Sequence, residues 1–488
     1  MSSVHADQKF LESSTLYAFA GTALKVVSPL LTIVVARVFG KEAFGIYVST
    51  QLWVLTMSRV AVLGLDRGLH WFIPRNKVDG RDPACGLVPA ARRSLLLAVL
   101  IASVVVVGSS LGLQRFFSGL KDLSALEISL YVLALLPWVW LHLFAGASEG
   151  NRRPQYKIFI NEFAVYTAAP LISLVLHFCG VPSSVSLPVG LVAANLLGVA
   201  AYVPLVRRQF PGLAWRDRSP IPKELLGYSI PLGVSEVVTS FLLRADLWMV
   251  LALLGPQYAG VYAVMVTISN GLRTIRQSYN PILLPVVAGM DGERLKSDLK
   301  PVYSYCVAMV TMIQLVIGFF IVLFPGETMM IAGKDYVVEP QVLGILLMGN
   351  LVNGMFGLSG SVINGLGKSR FMLMMNAVTL VFALACNRLL IPALGMAGAA
   401  LSTMLYQTLQ SVWTNVYLKR MGHWPYARSL WAQGGWGAAM LALYVALNNG
   451  FEPGMPAKIA LYALALGGLV ATFFAQGLRA RPGKSGKS

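Results

Sequence analysis

The sequence predicts an all-α membrane protein of about fourteen transmembrane helices, and three observations predict it. Hydrophobic residues make up 56% and charged residues only 12% of the 488-residue chain, against roughly 45–50% and 25% in soluble domains. The apolar residues fall in runs of about 20, the length that crosses a bilayer as a helix. Basic residues collect in alternate loops, as orientation in a membrane demands. Runs such as 94–113 and 187–206 lack the polar–apolar alternation of a barrel strand, so helices are the spanning element.

Fourteen apolar segments follow one another at 13–38, 44–65, 94–113, 126–147, 157–178, 187–206, 225–248, 258–285, 302–324, 339–363, 371–392, 395–418, 430–448 and 457–477. The first contains Lys25 and Pro29 and lacks a cleavage site of small residues, so it reads as a retained helix rather than a removed signal peptide. Pro29, Pro137, Pro170 and Pro231 stand inside segments, where proline kinks a helix. Cys85, Cys179, Cys306 and Cys386 have neither metal-ligand spacing nor the pattern of a disulfide framework.

The charge asymmetry orders these segments. Loops after even-numbered segments, with Lys9 and the tail, carry 27 Lys and Arg; the opposite loops carry Lys41, Arg115, Lys121, Lys334 and Lys458. Both termini are therefore expected in the cytoplasm. A net charge of +18 distributed in this way serves topology and gives no interleaved basic and aromatic stripe for nucleic acid. A cysteine introduced at Gln257, with the native cysteines removed, is expected to react with an impermeant reagent on intact cells. Reaction only after permeabilisation would reverse the topology.

An internal repeat emerges when the chain is slid along itself by 215 residues. Gly40, Gly45 and Tyr47 in FGKEAFGIY (39–47) meet Gly255, Gly260 and Tyr262 in LGPQYAGVY (254–262). The same offset pairs Gly150 with Gly365, Asn161 with Asn376 and Gly180 with Gly395. It relates the first segment to the seventh, and an even number of helices preserves orientation. The expected organisation is a six-helix lobe at 1–212, a second at 213–424, related by a pseudo-twofold axis along the membrane normal, and two added helices with a basic tail at 425–488.

These residues carry a resemblance. The two short loops with Phe-Gly or Leu-Gly followed by Gly-x-Tyr, the stretch LLGYSIP (225–231) followed by Asp246, and LGMAG (394–398) are similar to the multidrug/oligosaccharidyl-lipid/polysaccharide flippase superfamily. Within it, the chain resembles the polysaccharide transporters related to O-antigen flippases. The resemblance implies a transporter of the bacterial cytoplasmic (inner) membrane, working by alternating access for cell-surface polysaccharide or lipopolysaccharide synthesis. Its implied cargo is a polyprenyl-diphosphate-linked oligosaccharide, and its implied partners are membrane lipids, a coupling H+ or Na+, and polysaccharide polymerases or glycosyltransferases.

An ionisable side chain near the bilayer centre costs on the order of 3 kcal/mol, so each one calls for a reason. Cations outnumber anions six to three: Lys25, Arg59, Arg244, Arg273, Arg276 and Arg388 against Glu162, Glu236 and Asp246. Pairing cannot neutralise that set, which points to an anionic cargo or an aqueous cavity. Lys25, Arg59 and Arg273 are the candidates for holding a diphosphate, Arg through forked donors and Lys as a point charge. The competing reading is snorkelling, or a salt bridge to Glu162 or Glu236.

Asn270, Arg273, Gln277 and Asn280 form a polar stripe on the eighth segment, and Asn350 and Asn353 lie on a similar stripe in the tenth. Either could line a cavity; for the tenth, interhelical packing explains the pattern equally well. Glu162, Glu236 and Asp246 are the candidates for ion coupling, against a structural bond to a neighbouring helix. His142 and His177 fit packing better than proton relay.

No catalytic residue, metal site or cofactor is expected: loops stay under about 30 residues and neither paired metal ligands nor a Walker motif occurs. The alternatives are a cation-coupled multidrug exporter of the same superfamily, whose cavity should be rich in carboxylates, and a flippase for a lipid-linked peptidoglycan precursor.

Overall fold

The computed structural model describes residues 27–112, 124–277, 299–356, 358–366, 368–422, 434–440, 442–443 and 454–477. These residues contain helices and turns and no strand, so this is an all-α membrane fold. Among them, eight helices are long and apolar enough to cross a membrane, from Leu87–Ser110 to Met455–Thr472. One of the eight, Arg370–Arg420, runs over 51 residues and carries a break at Gly395. At 1.5 Å per residue that length suffices for two crossings.

The chain forms two compact units, Met1–Val264 and Met265–Ser488. The first holds α1 (Val27–Val62), α2 (Leu65–Val78), α3 (Leu87–Ser110), α4 (Ala125–Leu133), α5 (Leu135–Gly150), a π-helical stretch (Lys157–Val165) that runs into α6 (Tyr166–Phe178), α7 (Ser183–Gln209), α8 (Lys223–Leu242) and α9 (Ala245–Leu254). Helix α10 (Pro256–Gln277) starts in the first unit and ends in the second. The second unit continues with α11 (Leu299–Leu323), α12 (Pro325–Met330), α13 (Gln341–Phe356), α14 (Ser359–Gly365), α15 (Ser369–Arg420) and α16 (Met455–Gly477).

Glycines decide where these helices break and meet. Gly40 interrupts α1 with φ 79° and ψ 165°, and Gly255, its partner at an offset of 215, separates α9 from α10 with φ 95° and ψ 176°. Side chains with a Cβ essentially never occupy that region, so both loops demand glycine. Just beyond them α1 and α10 cross in backbone contact. A Cβ on Gly45 would lie 2.1 Å from the Pro256 carbonyl oxygen, and one on Gly260 would lie 1.7 Å from that of Lys41. Lys41 and Pro256 are also 215 apart, so this contact maps onto itself when the two copies are exchanged.

Two boundaries differ from the sequence reading. The seventh segment is divided: α8 ends at Leu242 and α9 begins at Ala245, so Asp246 lies in the first turn of a new helix and not near the end of an old one. Helix α3 starts at Leu87, which places Arg92 and Arg93 inside its first turns; the Arg92 guanidinium reaches the Arg218 carbonyl at 3.4 Å. Long basic side chains can leave a helix for the interface, so charge marks the membrane edge better than it marks the helix end.

Candidate functional site

Two of the intramembrane charges of the first unit, Arg59 and Glu236, meet where α1 gives way to α2. Leu63 and Gly64 both adopt positive φ there, 45° and 75°. Gly64 is pressed against α8, where a Cβ would come 2.3 Å from the Ser229 carbonyl oxygen and 2.6 Å from the Gly233 nitrogen. On the other side Gly146 of α5 meets the Asp66 backbone at a distance that no side chain would allow, 2.2 Å from a built Cβ to the carbonyl oxygen. Wedged in this way, the turn folds Asp66 back toward Arg59.

Four side chains of opposite sign meet at the turn. Arg59 Nη1 donates to Asp66 Oδ2 at 2.9 Å and to Glu236 Oε2 at 3.0 Å, and Arg67 Nε donates to Glu236 Oε1 at 2.8 Å. Both carboxylates take the same Arg59 nitrogen, and its Nη2 and Nε have no partner among the described residues. Asp66 Oδ1 is buried and also lacks one there. The Arg59 and Glu236 side chains are 27% and 23% exposed, so the group is shielded but reachable. Formally the quartet is neutral.

Beside it, Glu149 of α5 accepts from Lys157 Nζ at 2.9 Å, with His70 Nδ1 3.9 Å away. Trp71 of α2 stacks on Tyr228 of α8 with ring centroids 4.6 Å apart, and the Arg75 guanidinium sits 5.0 Å from the Trp71 ring. Asp246 accepts from the Tyr262 hydroxyl at 3.0 Å and from its neighbour's backbone N–H, Leu247, at 2.8 Å. The first contact is a bond to a neighbouring helix, and an acid in the first turn also lies at the positive end of its own helix.

In the second unit the charges are arranged differently. Arg273 and Arg276 are one turn apart on α10, both half-buried, and neither makes an ion pair or hydrogen bond among the described residues. Tyr303 of α11 is their buried aromatic neighbour on the side of Arg276. Asn270 and Gln277, on the same helix, are exposed. Gln314 of α11 donates to the Leu272 carbonyl at 2.7 Å, which pins α10 next to Arg273. Asn350 and Asn353 of α13 are buried; the Asn350 amide donates to the Ser269 carbonyl at 3.3 Å and to Leu346 at 3.2 Å, so its contacts are those of interhelical packing.

Lys25 and Asn280 lie outside the described residues, as does the side chain of Glu162, whose backbone belongs to the π-helical stretch. The structure thus brings Arg59 and Glu236 together and adds Asp66 and Arg67, two residues that sequence reasoning left in a cytoplasmic loop. The signal was available: Gly64-x-Asp66-Arg67 sets an acid and a base directly after a helix-breaking glycine. Among the described residues no three His, Cys, Asp or Glu side chains are grouped to hold a metal ion.

Comparison with known proteins agrees with this architecture. The polysaccharide biosynthesis protein family matches residues 10–290, more than half of the 488-residue chain. No curated protein matches it in sequence. Among solved structures, the lipid II flippase MurJ in an inward closed conformation is similar with TM-score 0.71 at 10% identity, covering 95% of this chain and 99% of its own. An inward-facing multidrug resistance MATE family transporter of the MOP superfamily is similar with TM-score 0.63 at 15% identity, covering 84% and 99%. The Vibrio cholerae MATE transporter VcmN, in a mutant form, gives TM-score 0.58 at 16% identity over 86% and 98%. At such identities the likeness is one of fold.

Proposed function

The chain belongs to the polysaccharide biosynthesis protein family, and from that premise we propose that it flips a polyprenyl-diphosphate-linked oligosaccharide across the bacterial cytoplasmic membrane by alternating access. The observation that carries this reading is the pair Arg273 and Arg276, two cations one turn apart on a membrane helix with no carboxylate paired to either among the described residues. Two like charges held so close in a weakly solvated place repel each other, and an anion of charge −2 or −3 relieves that repulsion. A diphosphate matches in charge and in its capacity to accept forked hydrogen bonds. In the first unit, taken by itself, Arg59 Nη2 and Nε have no partner among the described residues and are donors an anion can take.

Chemically this is binding and release, and no bond of the cargo is made or broken. A lipid-linked glycan needs its charged linkage carried across hydrocarbon, and the arginines replace the water that the linkage gives up. Ion coupling through Glu162, Glu236 or Asp246, the lobe boundaries at 1–212 and 213–424, and cytoplasmic termini belong to the same proposal. A cationic-drug exporter would be expected to gather unpaired carboxylates instead. The described residues show unpaired cations at Arg273 and Arg276, and acids that are engaged.

Reconstituted vesicles test the reading. The purified chain is expected to move a fluorescent polyprenyl-diphosphate oligosaccharide between leaflets and to leave a lipophilic cationic dye unmoved. Movement of the dye without the glycolipid would overturn the proposal in favour of the exporter. A peptidoglycan precursor carries the same diphosphate, so a lipid-linked muropeptide as a third cargo separates the two flippase readings by rate.

A further inference from the structure

Glu236 occupies the place that an anionic cargo would take. Its two oxygens engage two different guanidinium groups, Oε1 with Arg67 at 2.8 Å and Oε2 with Arg59 at 3.0 Å, as a phosphoryl group does when it bridges two arginines. With Asp66 on Arg59, the four charges cancel. An arriving diphosphate finds no excess positive charge at this turn until a carboxylate leaves. Asp66 is fixed by the turn that carries it, since its backbone is clamped against Gly146. Glu236 rides on α8, a separate helix.

The same helix closes on the turn through two further contacts. Gly233 lies backbone to backbone against Leu63 and Gly64, and Tyr228 stacks on Trp71. Ion pairs, glycine contact and ring stack follow one another along α8 at 236, 233 and 228, so withdrawing Glu236 from the arginines draws on the whole seam. By the charge bias of the loops, the α1–α2 turn and the start of α8 lie toward the cytoplasmic side.

We propose that Glu236 is an internal anion that latches α8 to the α1–α2 turn until the cargo's diphosphate replaces it on Arg59 and Arg67. This rests on the reading of the cargo as a diphosphate. The edge of Arg59 that has no partner among the described residues offers a first contact while Nη1 is still held, and exchange then completes on the same guanidinium. A ligand can shift a conformational equilibrium only by its differential affinity for the two states. Here the difference has a source: the latched state has its arginine donors already occupied.

The full chain in nanodiscs, with native cysteines replaced and Trp71→Cys and Tyr228→Cys introduced, reports the seam through a short bis-thiol cross-linker. Farnesyl diphosphate is the ligand probe. In this background, farnesyl diphosphate is expected to lower the cross-linking yield. Glu236→Gln is expected to lower it several-fold without ligand and to bind farnesyl diphosphate about tenfold tighter. Glu236→Asp keeps the charge, shortens the reach and should fall between, which guards against reading a misfolded variant as an open one.

Wild-type cross-linking together with unchanged or weaker affinity in Glu236→Gln would overturn the latch. Failure of the cargo reading looks different: neither protein binds farnesyl diphosphate, while cross-linking still falls in Glu236→Gln. That result would overturn the exchange and reduce the ion pairs to a plain closure.

Discussion

Arg273→Glu is expected to abolish transport of a polyprenyl-diphosphate glycan in vesicles while the protein inserts at normal abundance. The carboxylate removes the forked donors and repels the phosphates, and hydrogen bonds to charged groups are worth roughly 1.5–3 kcal/mol each. Losing two such bonds corresponds to a loss of about 100-fold or more. Abundance should hold, because Arg276 stands one turn away and an acid at 273 acquires a partner of opposite sign. Arg273→Lys is expected to retain part of the transport and Arg273→Gln almost none, since charge and fork both contribute. Full activity in Arg273→Gln would remove this residue from the mechanism.

Arg59 should behave in the opposite way. Arg59→Gln strips one partner from Asp66 and from Glu236 at once, leaving Asp66 buried without a counter-charge and Glu236 held by Arg67 alone, and breaking such a group typically costs about 3–5 kcal/mol. Loss of abundance is the expected result. Neutralising Asp66 in addition, as Asn, should recover part of it. Western blotting of membrane fractions distinguishes this structural loss from the transport loss at Arg273.

Gly64→Val is expected to prevent folding of the first unit. Two costs add there: positive φ, about 1–2 kcal/mol for a residue with a Cβ, and a Cβ placed 2.3 Å from the Ser229 carbonyl oxygen and 2.6 Å from the Gly233 nitrogen. The obstructing atoms are backbone of a packed helix and cannot rotate away, so the overpacking term lies at or beyond the upper end of its usual range of about 1–3 kcal/mol. Gly80→Ala provides the contrast. Gly80 also has φ of 68°, but nothing lies within 4 Å of a Cβ there, so only the conformational cost remains. Size-exclusion profiles in detergent should show Gly80→Ala as monodisperse and Gly64→Val as aggregated or absent. A well-folded Gly64→Val would mean that the α1–α2 turn and α8 are not held in the contact described.

The likeness in structure to MurJ and MATE transporters at 10–16% identity shows how little side-chain identity this architecture requires. What recurs is a pattern of length and polarity. The sequence by itself determined that pattern, because every backbone N–H and C=O in hydrocarbon must be satisfied within its own segment, and only long apolar helices achieve this. Gly40 and Gly255 were legible for a related reason: a loop of one or two residues between membrane helices needs a backbone conformation that other residues avoid.

What only the tertiary structure decided is which charges cancel. Arg59 and Glu236 are 177 positions apart, and nothing local in either segment specifies the other. Arg59 and Asp66 are seven apart, about 10 Å along an unbroken helix, and they meet only because Leu63 and Gly64 turn the chain back on itself. Nor could spacing separate Arg59 from Arg273, since both are arginines inside apolar segments. Among the described residues Arg59 is paired and Arg273 is not, a difference that arises from the helices packed beside each, because electrostatic energy depends on distance in space rather than along the chain.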